Sequence, residues 1–482
     1  MKLSEVLENI IGHHNSPEQT LNDIDIEGIS ANSSRIGPNG LFIAISGYQQ
    51  DGHHYIDDAI AAGASAVVGE KEIAQLKVPY IKVSNSRFAL AHIAKNFYQT
   101  SSKNHTIIGI TGTNGKTTTS FMLKHVLEDA GLTCSLFGTI HNVVNGQKLP
   151  SINTTIDALE LHRHLSICKD DVVIIEVSSH GLSQFRIEGI EFDCCLFTNL
   201  DHEHLDYHQD MDDYFSVKAT LFNKLKPDGK AIINSYNSWG EKLLHSLPCK
   251  ATNIFAMGEA GNHHLHITRC KKGEPGIATI TEGDQQYKLK LKILGIHNVY
   301  NAAMAFLTIR RLNIPGDKII QSLQTFQGVP GRFEIIEQPK EATVVIDYAH
   351  TSEAFFNCLS TARELGARRI FHVFGFRGNR DESKRMGMLN ISYELSDRMI
   401  LTLDDLNHIS YEEMVKTLHG VSAPSKALII PDRTLAIQYA NDEAEEGDWI
   451  IITGKGVEKY KQQFFLPTTS DEETIRFLHS IN

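Results

Sequence analysis

The chain has 482 residues, about three times a typical domain of ~150 residues, so two to four domains are expected rather than one core. Hydrophobic residues make up 41% and charged residues 22%, with only 13 Pro, which excludes disordered and fibrous classes. The net charge, 46 − 58 = −12, argues against a nucleic-acid surface, so any anionic ligand has to be held locally.

No apolar run reaches the ~20 residues of a membrane helix, and Glu5 and Glu8 interrupt the stretch a signal peptide would need. A cytoplasmic location without a membrane partner is expected. Seven Cys is an odd number, and the adjacent pair Cys194 and Cys195 lies in an apolar run; buried free thiols in a reducing compartment fit better than a disulfide framework.

In chain order, short β-like runs at 41–45 and 66–68 precede the polar stretch Thr100-Ser101-Ser102-Lys103-Asn104, which reads as a linker. From Thr106 to about Gly328, apolar strands at 106–110, 171–177, 192–197 and 231–234 alternate with helix-like segments, the mark of a mostly parallel sheet. Gly328-Val329-Pro330-Gly331 punctuates the next boundary, and strands recur at 343–346, 370–374, 399–401, 427–430 and 449–452. The expected fold class is α/β with three domains: a small N-terminal domain over 1–103, a large central domain over 104–330, and a Rossmann-like C-terminal domain over 331–482.

The strongest local signal is the strand 106–110 followed by Thr111-Gly112-Thr113-Asn114-Gly115-Lys116-Thr117-Thr118-Thr119 and an amphipathic run from Phe121 to Gly131. Gly112 and Gly115 let the backbone wrap a polyphosphate, Lys116 adds a point charge, and the Thr117 hydroxyl can ligate Mg²⁺. ATP is the expected ligand, and the central domain is therefore of P-loop type. The motif is G-x-x-G-K-T and lacks the leading Gly of G-x-x-x-x-G-K-[ST], so ordinary P-loop NTPases match it imperfectly.

Glu176 closes one strand, which puts a carboxylate at the carboxyl end of a parallel sheet, where such sheets bind ligands. The strand 192–197 delivers Thr198-Asn199-Leu200-Asp201-His202-Glu203-His204-Leu205-Asp206-Tyr207-His208 to the same kind of edge. His202, His204 and Asp206 imitate the H-x-H-x-D start of a binuclear metallohydrolase, but Tyr207 stands where that motif wants His. Histidines capping a helix start are the plainer alternative. Lys218, among Phe215, Leu221 and Phe222, is expected to be partly buried and so neutral, paired or chemically modified.

Taken together these residues resemble the Mur ligase family, ATP-dependent amide-forming enzymes of peptidoglycan precursor assembly. The likeness runs over nearly the whole chain: Gly112 to Thr117, Asn153-Thr154-Thr155, Glu176-Val177-Ser178-Ser179-His180-Gly181-Leu182, Thr198-Asn199-Leu200 with His204 to His208, Gly295 to Asn298, Gly331-Arg332, Asp347 to Thr351, and Gly454-Lys455-Gly456. It is greatest to members that add the third amino acid to UDP-N-acetylmuramoyl-L-alanyl-D-glutamate.

The resemblance implies roles at matching positions. Gly112, Thr113, Asn114, Gly115, Lys116, Thr117 and Thr118 would hold ATP, with Asn298, Arg332, Asp347 and His350 around the nucleotide. Thr117, Glu176 and His204 look like a Mg²⁺ shell, joined by Lys218, which matches the family lysine that is carbamylated; Lys116, Glu176, His204 and Lys218 would form the catalytic set. Ser33-Ser34-Arg35 and Gly47 to Gly52 resemble the UDP-recognition segments of the first domain, although Ser33 replaces the usual Asp. Ser34, Asn153, Thr154, Thr155, Ser178, Gln184 and Arg186 match residues that grip the UDP-linked substrate. Arg380, Asp404, Asp405, Asn407, Gly454 and Glu458 match the site of the incoming amino acid. The expected reaction passes through an acyl phosphate, with the third domain closing over it to exclude water, in a monomer acting on small molecules.

The sequence leaves the family at the tetrad that selects the amine. Diaminopimelate-adding members carry D-N-P-R, whereas this chain has Asp404-Asp405-Leu406-Asn407, and Val457 replaces the His usual after Gly456. Without that guanidinium a second carboxylate has no bidentate partner in the tetrad, while Asp404, Asp405 and Glu458 form an acidic cluster suited to a distal ammonium. L-Lysine or another diamino acid is therefore expected in preference to meso-diaminopimelate. A paralogue with a different acceptor or amine, and a non-catalytic nucleotide-binding module, are the alternatives; retention of Lys116, Glu176, His204 and Lys218 together counts against the module.

Overall fold

The computed structural model describes residues 1–10, 12–14, 18–47, 50–73, 76–100, 105–247, 253–259, 261, 263–269, 273–336, 342–420 and 427–481. Tyr48 and Gln49 of the expected UDP-recognition segment, and residues 101–104 of the expected linker, lie outside them. The chain falls into two compact units: Met1–Gly109, Leu132–Asp193 and Asn223–Gly229 make one, and Ile110–Gly131, Cys194–Phe222 and Lys230–Asn482 the other.

In the first unit, a five-stranded sheet runs in the order Gly12–His14, Tyr80–Val83, Ala64–Gly69, Gly40–Ile43, Gly28–Ser30. Only the first pair is antiparallel. Leu41, Ile43, Ala66, Val68 and Ile81 on one face pack against Leu90, Ile93 and Ala94 of the helix Ser86–Tyr98. Phe42 and Val67, one residue out of phase, serve a second core with Ile56 and Ala59. The period of two thus places helices on both faces. In the same unit the strand Val172–Glu176, every residue of it buried, pairs in parallel with Cys134–Phe137, and the antiparallel strands His141–Val144 and Gln147–Pro150 extend from it.

The second unit opens with the end of the strand Thr106–Thr111 and the helix Lys116–Asp129. Gly131, at φ +89°, ends the run, a conformation glycine adopts without steric cost. The buried helix Ile296–Arg310 and the parallel strands at Ala231 to Asn234 and Ile254–Met257 belong here too. A three-stranded antiparallel sheet of His266–Arg269, Ile277–Glu282 and Gln285–Lys290 interrupts the expected α/β alternation. Its tight turn is Gly283-Asp284, with Gly283 at φ +56°, the two-residue hairpin chemistry that favours antiparallel pairing over a crossover.

Residues from 334 onward form a six-stranded sheet in the order Glu334–Ile336, Thr343–Asp347, Trp449–Thr453, Ile370–Phe376, Arg398–Leu403, Ala427–Ile429. All pairs are parallel except the first. Trp449–Thr453 enters between the strands at 343–347 and 370–376. Open α/β sheets bind ligands beyond the carboxyl ends of their strands, and Asp347, Arg377, Asp404 and Gly454 stand at those ends. Among the described residues, no helix is long and apolar enough to cross a membrane, and Cys134, Cys168, Cys194, Cys195 and Cys358 carry free thiols.

Candidate active site

The loop 112–115 is braced by the end of the neighbouring strand. Thr198 Oγ1 donates to the Asn114 carbonyl at 2.6 Å, the Thr113 amide donates to the Asn199 carbonyl at 3.0 Å, and the Asn114 amide donates to Asn199 Oδ1 at 2.8 Å. Gly112 lies at φ +146°, and a Cβ there would stand 1.9 Å from Thr198 Oγ1; one on Gly115, at φ +86°, would stand 2.4 Å from Asn301 Oδ1. Asn298 lies buried beside Asn301, which donates to its Oδ1 at 3.3 Å. The helix Lys116–Asp129 begins at Gly115 with no side-chain cap, so its dipole and first amides face the loop. Thr117 and Thr118 are buried in its first turn.

Two lysines converge on this loop. Lys116 Nζ donates to the carbonyls of Gly112 (2.8 Å) and Thr113 (2.9 Å), and Lys218 Nζ donates to the same Gly112 oxygen at 2.9 Å. Lys218 lies on the helix Met211–Ala219, is buried, and stands 4.6 Å from the centre of the Tyr214 ring. Burial first, and then the charge of Lys116, push its ammonium well below the ordinary lysine value. The two amines share one carbonyl oxygen, and the Lys116 charge beside a buried amine that resists protonation favours a negative charge there.

Residues beyond 330 reach the loop. Arg332 Nη2 donates to Thr117 Oγ1 at 3.4 Å and stacks on Tyr348 at 4.3 Å, and Asn114 Nδ2 donates to Thr351 Oγ1 at 3.3 Å. Asp347 accepts from the amides of Phe333 and Ala349, both at 2.5 Å; burial raises its carboxyl pKa against the pull of Arg332. His350 Nε2 meets Glu203 at 2.6 Å. His204 adopts φ +61° and holds its Nε2 3.5 Å from Glu203. The histidines and acids of 202–206 turn to separate partners: His202 to Ser383, Glu203 to His350 and Lys384, Asp206 to Arg380. The described residues contain no group of three or more His, Cys, Asp or Glu able to hold a metal, so the binuclear arrangement suggested by H-x-H-x-D is not formed among them.

In the first unit, Thr154, Thr155, Ser178, Gln184 and Arg186, expected to grip the acceptor, come together. Thr155 Oγ1 is buried, donates to the Glu176 carbonyl at 3.0 Å, and accepts from the Ser178 amide at 2.8 Å. Arg186 donates to the Thr155 carbonyl and to Gln184 Oε1, both at 2.8 Å. Thr139 Oγ1 donates to Glu176 Oε2 at 2.7 Å and lies 3.3 Å from Thr154 Oγ1, while Asn153 is exposed beside them in sequence. Glu176 is fully buried, and a Cβ on Gly138 would come within 2.3 Å of its Oε1. Ser34 is exposed, and its amide and hydroxyl donate to Asn32 Oδ1 at 3.0 and 2.8 Å.

The cluster around the tetrad is not an open acidic surface. Asp404 and Asp405 are 2% and 1% exposed, and Lys455 Nζ donates to both, at 3.3 and 2.7 Å. Arg377 lies 3.5 Å from Asp404, donates to the Gly454 carbonyl at 2.9 Å, and pairs with Glu458 at 2.5 Å. Burial alone would raise the Asp404 carboxyl, but Arg377, Lys455 and Arg433 hold it well below the usual carboxylate range. The cations the sequence reading sought in a substrate are therefore supplied to Asp404 and Asp405 by the chain itself. Asn407, at φ +46°, donates to the Gly378 carbonyl at 3.0 Å, and Arg380 extends toward Asp206 at 3.9 Å. Arg377 and Lys384 carry no signal of their own in the sequence, because isolated charges have no period or spacing, and Glu203 stands in the run 198–208 without a role assigned to it. The run Arg377-Gly378-Asn379-Arg380-Asp381 at a parallel strand end was the available signal.

Three family models match the chain: Mur ligase family, catalytic domain, over residues 25–98; Mur ligase middle domain over 110–309; and Mur ligase, glutamate ligase domain, over 331–456. A protein of Syntrophomonas wolfei subsp. wolfei named UDP-N-acetylmuramoyl-L-alanyl-D-glutamate--2,6-diaminopimelate ligase is 35% identical over 474 residues, covering 96% of this chain and 95% of its own length. A solved structure of a ligase of that name has a TM-score of 0.69 at 25% identity and covers 100% of this chain and 99% of the other. The MurF ligase from Thermotoga maritima, solved in complex with ADP, has a TM-score of 0.65 at 18% identity, covering 89% and 94%.

Proposed function

Because this chain belongs to the Mur ligase family and is an ATP-dependent amide-forming ligase with three Mur ligase domains, we propose that it joins the D-glutamyl carboxyl of UDP-N-acetylmuramoyl-L-alanyl-D-glutamate to the amine of a diamino acid. The supporting observation is the loop 112–117, where the Lys116 charge and the Lys218 amine meet on one carbonyl while Arg332 and Thr351 reach the loop from beyond residue 330. A carboxylate and a triphosphate repel each other, and such a locus lets them approach.

In this reading, Gly112 to Thr118 cradle ATP, Asn298 backs the loop, and Arg332, Asp347 and His350 flank the nucleotide. The acceptor carboxylate attacks the γ-phosphorus, releasing ADP and leaving an acyl phosphate; the amine adds to its carbonyl and expels phosphate, losing a proton. Lys116 offsets the charge of the transferring group. Thr154, Thr155, Ser178, Gln184 and Arg186, with Asn153 and Ser34, orient the UDP-linked dipeptide.

The hydroxyl of Thr117 and the imidazole of His204 suit a small, hard cation, and would hold Mg²⁺ with a carbamate on Lys218. Bound there, Mg²⁺ would supply charge neutralisation between the two anions. The neutral Lys218 amine adds to CO₂, forming an N–C bond and releasing one proton, and the resulting anion meets the demand created by Lys116.

For the amine, we favour L-lysine or another diamino acid lacking a second carboxylate over meso-diaminopimelate, because Asp404-Asp405-Leu406-Asn407 offers no guanidinium. One observation favours the second reading: Arg377 brings a guanidinium to Gly454 and Glu458 from a different strand end, and the curated relative is named for 2,6-diaminopimelate. ADP release from ATP should require both the UDP-linked dipeptide and an amine. Competition between lysine, ornithine and diaminopimelate decides the rest: diaminopimelate turnover without lysine turnover selects the second reading, and no ADP with any pair rejects both.

A further inference from the structure

Glu203 has no role in the reading above, yet it is the most heavily committed carboxylate of the loop 198–208. It is 5% exposed, and its oxygens face His350 (2.6 Å), Lys384 (3.3 Å) and His204 (3.5 Å). His204 belongs to the region matched by the middle-domain model, and His350 and Lys384 to the region matched by the glutamate-ligase model. Around Glu203, the flanking residues pair with one short stretch: His202 with Ser383 at 2.7 Å, the Leu205 amide with Asp381 Oδ2 at 3.3 Å, and Asp206 with Arg380 at 3.9 Å. Residues 202–206 thus lie along 380–384 as two polar strips, with the buried Glu203 and the half-buried Lys384 as the central contact.

A carboxylate at such a place is costly to bury unless cations arrive with it. Two of its three partners come from beyond residue 330, so its burial is compensated only while that region is docked on the loop. The same oxygens stand beside His204, whose left-handed backbone is a conformation that a residue with a Cβ keeps only when its surroundings enforce it. We propose that Glu203 is a positioning residue: its carboxylate draws His350 and Lys384 onto the loop and thereby holds the docked arrangement in which His204 and His350 stand together on it. The inference rests on the ligase reading for its catalytic consequence, and on the pairing of the two strips for its structural one.

The test uses the full-length protein with ATP, the UDP-linked dipeptide and the amine it accepts, comparing Glu203→Gln, Lys384→Met, the double variant and Glu203→Asp. Glu203→Gln and Lys384→Met should each lower kcat tenfold or more while KM for ATP stays within about twofold, and the double variant should be no worse than the poorer single one, since coupled partners are not additive. Glu203→Asp, which keeps the charge, should recover part of the loss. Hydrogen exchange gives a readout independent of turnover: with ADP present, the peptide containing the Leu205 amide should exchange at least tenfold faster in Glu203→Gln than in the parent. Multiplicative losses in the double variant, or unchanged exchange at Leu205, would overturn the proposal. A parent protein that makes no ADP with any acid and amine would remove the ligase reading alone, and the exchange measurement would still decide the docking role.

Discussion

The phosphate loop and the tetrad cluster are both sites of concentrated charge at the ends of parallel strands, and they differ in where their partners come from. At the loop, the glycines, the lysine and the helix start are consecutive residues, and the bracing Thr198-Asn199 pair follows a single neighbouring strand. At the tetrad, Asp404 and Asp405 face Lys455, 51 and 50 positions away, and Asp404 also faces Arg377, 27 positions before it. A local motif keeps its electrostatic sign when read from sequence. A cluster whose counter-charges are distant does not, which is how three acids read as a site for an ammonium became, for two of them, a buried network that the chain itself neutralises.

If that contrast is right, the largest effect belongs to the network. Lys455→Met leaves Asp404 and Asp405 buried without their common cation, and should cost about 3–5 kcal/mol of stability, measured by urea unfolding; a loss below ~1 kcal/mol would mean the carboxylates behave as surface groups. Gly112→Ala attacks the loop instead. Its Cβ would meet Thr198 Oγ1 at 1.9 Å, displacing the phosphate cradle, so ADP formation should fall by roughly 10²-fold or more, read in a coupled ADP assay, with a smaller change in stability.

Lys218→Ala should lower activity roughly tenfold to a hundredfold, the scale of losing a group that supports a metal ion. Short-chain carboxylic acids should restore part of it if the working form is a carbamate, and full activity in their absence would remove that role. The last effect is nil at neutral pH and concerns His372, buried between Ser392 Oγ (2.8 Å) and Thr453 Oγ1 (3.0 Å) in the sheet that carries the tetrad. Burial lowers its pKa from 6.5 to about 3, so the unfolded chain binds a proton that the folded chain refuses. The stability this group contributes is complete above pH 6.5 and is lost as pH falls toward about 3, by up to ~1.4 kcal/mol per pH unit. His372→Gln should flatten that part of the stability curve; an unchanged slope would assign acid sensitivity to other groups.

Much of the fold was legible because it rests on short-range periodicity. The strand Phe192–Phe197 occupies the residues expected of it, and Val172–Glu176, Ile370–Phe376 and Trp449–Thr453 differ from the expected spans only at their ends, since continuous β-branched and aromatic runs bounded by turn residues suit a sheet covered on both faces. The antiparallel sheet from His266–Arg269 to Gln285–Lys290 was passed over, although Glu282-Gly283-Asp284-Gln285 between alternating segments is a hairpin signature. The burial of Lys218 could be read from its apolar neighbours. Its convergence with Lys116 on one carbonyl could not.

By itself the sequence determined most of the elements in order and type, the glycine-rich turn from strand to helix at 112–115 and the membership of the chain in its family, because each depends on residues within a few positions of one another or on motifs met in fixed order. Only the tertiary structure decided which charges neutralise which: Glu203 against His350 and Lys384, Asp404 and Asp405 against Lys455, Arg433 against Asp471 at 2.6 Å. Burying an ion requires a partner within a few ångströms, and that partner is chosen by how strand ends and helices meet in space, with no constraint on its distance along the chain.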